Sequence, residues 1–179
     1  MLFSERSLWT MVHGIGLGGG ALLALAAVLF SLYLMRSHAG AAAPSAGTNP
    51  ATGIARLTVF SAVILWLTAF VGTYIVFPPY RATPPEGTAD LSAYPRSLLL
   101  ADPSTAWLHA FAMETKEHLP FIAVMLATSV AFVAWRYRER LLQDESLRRM
   151  GAVLLAICFA IVAYVSLLGV LVNKVAPLE

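Results

Sequence analysis

The sequence predicts an all-α integral membrane protein, an up-and-down bundle of four helices with both termini on the non-cytoplasmic side. Composition points there first: 179 residues that are 59% hydrophobic and 12% charged, with a mean hydropathy of +0.74, carry more apolar surface than a soluble domain of that length buries. Four stretches then meet the requirement of ~20 mostly apolar residues for crossing a bilayer core about 30 Å thick. They run from about 8 to 35, 54 to 77, 105 to 136 and 148 to 173, and together they make residues 1–179 a single membrane domain. Basic residues supply the orientation. Arg36, Arg56, Arg136, Arg138, Arg140, Arg148 and Arg149 fall on the side of the two loops after the first and third helices. The opposite side holds Arg6, Arg81, Arg96 and Lys174, with Lys116 close to its boundary. The positive-inside rule puts the richer side in the cytoplasm, as expected for a bacterial cytoplasmic (inner) membrane.

The first stretch is about 28 residues long, carries Trp9 and His13, and lacks a short basic lead. It reads as a retained helix rather than a secretory signal. The segment HAGAAAPSAGTNPATG that follows, His38 included, has no apolar periodicity and reads as a small-residue connector. Pro78 and Pro79 are expected to end the second helix and open an outer loop over 78–104. A loop of that length in a compact bundle is commonly functional. Within it, Tyr94 to Leu100 suits the membrane interface, and Asp102 with Pro103 resembles a helix start. The third helix continues into WRYRERLLQDESLRRM, where Asp144 or Ser146 is the expected cap of the fourth. Cys158, the one cysteine, lies in an apolar run and reads as a small hydrophobe.

Net charge is only +2 and is spread over loops flanking the helices, which assigns it to orientation and gives no nucleic-acid partner. Hydrolase elbows and phosphate-cradling glycine loops are absent from the sequence. The aromatic residues mostly mark helix ends, as a membrane belt does, with Trp66 the exception in mid-helix.

Chemistry concentrates in HAFAMETKEH, residues 109 to 118, because ionisable side chains at or inside a membrane are costly to keep. A b-type haem takes imidazole ligands, often one from each of two facing helices. His13 is the candidate on the first helix, and His118, or alternatively His109, on the third. Counted from Arg36 and Arg136, His13 is 23 residues deep, His118 is 18 and His109 is 27. At ~1.5 Å per residue these differ by about 7.5 Å and 6 Å, so depth does not choose between them. On a wheel of ~100° per residue, His109 shares a stripe with Met113, Lys116 and Pro120, and Glu114 shares one with His118. His118 is nearer the apolar core, and Glu114 one turn away is placed to receive its ring N–H. Gly14 and Gly18, paired in HGIGLGGGA, either let a neighbouring helix approach or clear a flat surface for a porphyrin beside His13.

The same residues allow other chemistry. Glu114 and His118 at i, i+4, joined by His13, would make three metal ligands. Glu114, Lys116 and Glu117 would also serve as proton carriers or line a quinone head group. The plainer alternative is an interfacial salt-bridge network.

The four-helix plan with His13 and a histidine on the third helix resembles the membrane-embedded b-type cytochrome subunits of electron-transfer complexes. The second and fourth helices lack histidines, so the resemblance implies at most one haem b, near the outer face, with a quinone site beside it. It further implies a subunit of an oxidoreductase complex, in contact with lipid and with other membrane subunits or a second copy. A cofactor-free accessory subunit, and a small metal- or proton-handling membrane protein, are the alternatives.

Overall fold

The structure is a computed structural model that describes residues 4–37 and 50–177; the connector containing His38 lies for the most part outside the described residues. Those residues are helical wherever they are regular, with no strand among them. Four helices are long and apolar enough to cross a membrane: α1 (Glu5–Met35), α2 (Pro50–Tyr80), α4 (Leu108–Arg136) and α6 (Glu145–Val175). Two short helices complete the set, α3 (Pro95–Ala101) in the outer loop and α5 (Arg138–Gln143) between α4 and α6.

Each long helix starts or ends a turn away from where apolarity alone places it, because polar caps are invisible to a hydropathy window. The Ser4 hydroxyl accepts from Ser7 N at 3.0 Å and opens α1. Asp144 caps α6 by accepting from Leu147 N at 3.0 Å, as the sequence suggests. Asp102 accepts from Ser104 N at 2.8 Å, and its carbonyl takes the N–H groups of Thr105 and Ala106 as the chain turns into α4. That Ser104 N–H holds the Asp102 carboxyl below its ordinary range. The expectation that Pro78 and Pro79 stop α2 is corrected: the helix continues through both to Tyr80. A π-helical stretch, Gly72–Val76, lies immediately before them. Its wider turn leaves room for two rings that bring no N–H.

Packing follows the small residues. α1 and α4 each pack on α2 and α6, which leaves α1 and α4 diagonal to one another. The interior between them is filled by Leu25, Val28, Val124 and Leu155 among alanines such as Ala21, Ala123 and Ala127. Cys158 is buried there and donates its thiol to the Ala123 carbonyl at 3.4 Å. Hydroxyls inside the spans are satisfied by their own helix: Thr58 donates to Ile54 O, Thr68 to Ile64 O and Thr128 to Val124 O, each at 2.7 Å. Trp66 Nε1 in turn donates to Thr128 Oγ1 at 3.1 Å, tying α2 to α4. Large apolar side chains, among them Leu23, Phe30, Met125, Phe132 and Leu167, face outward, which suits contact with lipid.

The two ends differ in character. At one, Ala55, Ala134 and Leu141 form a small cluster, and Arg148 Nη1 donates to the Leu141 carbonyl at 2.7 Å. At the other, Tyr80, Leu99, Leu108, Ala112, Met113, Leu168 and Val172 pack α3 onto the ends of α2, α4 and α6. Pro95 and Leu99 anchor α3 in that cluster, and Arg6 Nη1 donates to the Ala93 carbonyl at 3.3 Å. The loop leading there turns at Gly87, whose φ of 81° is open to glycine.

Asp144→Ala removes the side-chain acceptor that caps α6 and is expected to cost about 1 kcal/mol. Asp144→Asn retains most of it; denaturant unfolding in mixed micelles measures both.

Candidate functional site

Three π-helical stretches, Val12–Gly19, Gly72–Val76 and Leu108–Met113, interrupt α1, α2 and α4 toward the same end of the protein, the end that α3 covers. Under-wound turns of this kind rotate the residues beyond them, and they recur at functional sites. In α1 the run Gly14, Gly16, Gly18, Gly19 lowers the resistance of the backbone to that rearrangement. His13 lies on the first stretch, Gly72 begins the second, and His109 lies on the third.

His13 points into the bundle against α2. A Cβ at Gly72 would stand 2.7 Å from its Cε1 and 3.3 Å from both ring nitrogens, so the imidazole fills the hollow that the glycine leaves. Among the described residues its Nδ1 is buried without a hydrogen bond of good geometry, and the Thr68 backbone is its polar neighbour. Lys116, on α4, repeats the arrangement against α6. A Cβ at Gly169 would stand 2.6 Å from Nζ, which donates to the Val165 carbonyl at 3.3 Å. Two basic side chains on diagonal helices are thus each seated on a glycine of the next long helix. Among the described residues Lys116 forms no salt bridge.

His109 belongs to a different, shallower group. Arg96 Nε donates to its Nε2 at 3.3 Å, so that nitrogen carries the lone pair. In the neutral ring Nδ1 then carries the proton and donates to Tyr80 Oη at 2.9 Å. Glu114, Glu117 and Arg81 are the charged neighbours of this group. Both His109 nitrogens are therefore engaged. The expected stripe joining His109 to Lys116 does not form. The π-helical stretch between Leu108 and Met113 shifts the wheel by about one residue, ~100°, and turns His109 toward the glutamates while Lys116 faces α6.

His118 is exposed, and its Nδ1 donates to the Glu114 backbone carbonyl at 2.8 Å rather than to the Glu114 carboxylate as expected. The candidate residues fall into separate surroundings: His13 against Gly72, Lys116 against Gly169, His109 with Tyr80 and Arg96, and His118 on the outward face of α4. No three His, Cys, Asp or Glu side chains come together as a metal site among the described residues. Of the glycines, Gly18 is buried, with an added Cβ 3.3 Å from the His13 carbonyl, whereas Gly14 faces open space. The glycine that meets His13 is Gly72. The chain matches no protein-family model, no curated protein and no solved structure.

Gly72, Gly169, Tyr80 and Arg96 escaped the sequence reading. Gly72 and Gly169 were legible only as isolated glycines within apolar helices, a pattern that signals close approach without naming what approaches.

Gly72→Ala is expected to cost about 1–3 kcal/mol by overpacking against the imidazole. Gly169→Ala costs less and pushes the flexible Lys116 amine out of its hollow, so labelling of Lys116 by an amine-reactive reagent, followed by peptide mass spectrometry, speeds up relative to the parent chain.

Proposed function

We propose that this chain is a proton-handling membrane subunit of an electron-transfer complex, working at the end of the bundle that α3 covers. The observation that carries this reading is the seating of two bases, His13 and Lys116, on glycines inside the spans. Ionisable side chains within a membrane are costly to keep, which marks both as functional. Such bases gain or give up a proton when charge changes beside them, which is what the proton chemistry of a quinone or another membrane-borne acceptor requires. Glu114, Glu117, His109 and Tyr80 stand toward the outer surface and offer the exchangeable groups between these bases and water.

Helix pairings support the up-and-down topology assumed here. His13 near the start of α1 meets Gly72 near the end of α2, and Lys116 near the start of α4 meets Gly169 near the end of α6. With the basic residues concentrated at the opposite end, this reading places both termini and α3 on the non-cytoplasmic side.

A second reading, one haem b, is favoured by a separate observation. A carbonyl only accepts, so the contact with Glu114 leaves the His118 Nε2 lone pair directed outward, the form in which histidine binds iron. His13 and His109 do not share its surroundings, so haem at His118 would take its second ligand from another subunit or a second copy.

In vesicles holding the purified chain, a potassium diffusion potential should drive proton uptake that a trapped pH dye records, and Lys116→Met should slow it by about 10²-fold. Equal rates in the two preparations would reject the proton reading. For the haem reading, reduced-minus-oxidised spectra of membranes should show b-type bands that His118→Ala removes and His13→Ala leaves. Their absence from haem-replete material excludes it.

A further inference from the structure

We propose that the groove between the start of α1 and the end of α2 binds one phospholipid with a zwitterionic, ammonium-bearing headgroup. The groove has a volume of about 240 Å³ and is lined by Glu5, Arg6 and Trp9 of α1 and by Ile75, Val76 and Pro79 of α2. One cavity thus brings together an anion, a cation and an indole beside an apolar wall. Among the described residues the Glu5 carboxylate forms no salt bridge, and the Arg6 side chain makes one hydrogen bond, from Nη1 to the Ala93 carbonyl at 3.3 Å. A carbonyl takes a single N–H and balances little of a full charge, so the guanidinium keeps donors for a phosphate.

Opposite charges lining one groove select a ligand that carries both. A phosphodiester accepts from Arg6, and an ammonium donates to Glu5 and is attracted by the face of Trp9. An anionic lipid would satisfy Arg6 and leave Glu5 without a partner. The order of the lining residues fits a lipid rather than a soluble zwitterion. Glu5, Arg6 and Trp9 lie at increasing depth along α1, about 6 Å from first to last at ~1.5 Å per residue. The ammonium, phosphate and ester groups of a phospholipid follow each other inward in the same order. An indole suits the ester level, with its N–H toward polar atoms and its ring toward the chains. On the other wall Pro79 stands outermost, and Ile75 and Val76 continue the apolar surface inward for an acyl chain. Those two residues end the π-helical stretch Gly72–Val76, a kind of irregularity that recurs at functional sites.

The test uses the full chain in detergent micelles, with dioleoyl phosphatidylethanolamine and dioleoyl phosphatidylglycerol added in equal amounts and bound lipid counted by native mass spectrometry. The parent chain should retain one phosphatidylethanolamine with about tenfold preference, the ratio expected of one charge-assisted hydrogen bond at a half-open site. Glu5→Gln should equalise the two lipids. Arg6→Gln should weaken retention of both, and Arg6→Lys should restore part of it. Val76→Trp fills the groove without altering charge and should abolish the preference. A parent chain that does not discriminate, or a preference that survives Glu5→Gln or Val76→Trp, overturns the proposal. Glu5 is exposed and its replacement leaves the packing untouched, so Glu5→Gln decides should Val76→Trp fail to fold.

Discussion

The rest of the structure depends on the need to satisfy polar groups without water. Inside a bilayer a hydroxyl or backbone group has only protein to bond to, and each failure costs several kcal/mol. The spans meet this requirement locally. Thr58, Thr68, Thr128 and Ser129 return their hydroxyls to carbonyls one turn back. Because no driving force equivalent to water exclusion separates one apolar helix from another in lipid, cohesion comes from close approach. Ala21, Ala123, Ala127 and Ala131 give the interior its small-residue character, and Leu25 and Leu155 fill what they leave.

The basic pair is best understood as an exception made under that requirement. Its two members are held by shape as much as by bonding, since Gly72 and Gly169 receive them where an added Cβ would crowd them. Above it, the Arg96–His109–Tyr80 chain does the opposite. Every nitrogen of His109 is bonded, and the group joins α3 to α2 and α4. One layer is closed by hydrogen bonds; the layer beneath is held mainly by shape.

Much of this was legible in the sequence. Apolar length set the four helices, and the cap at Asp144, the turn at Asp102 and the burial of Cys158 followed from residue type. The site was less legible, and the reasons are specific. A helical wheel assumes i to i+4 bonding, and the π-helical stretch Leu108–Met113 breaks that assumption within the HAFAMETKEH segment. His109 and Lys116 therefore part company, and Glu114 moves to His109. The prolines misled for the same reason, since Gly72–Val76 loosens α2 just before Pro78. The seats of His13 on Gly72 and of Lys116 on Gly169 are tertiary facts with no trace in local pattern.

The seating of each basic side chain on a glycine also sets how this protein can change over generations. A larger residue at position 72 is disfavoured until position 13 has shrunk, whereas at 169 the flexible lysine can swing aside. Drift at Gly72 is therefore gated by loss of its guest, and that pair should behave as a ratchet: easy to keep, and, once the histidine has gone and the hollow has filled, hard to regain.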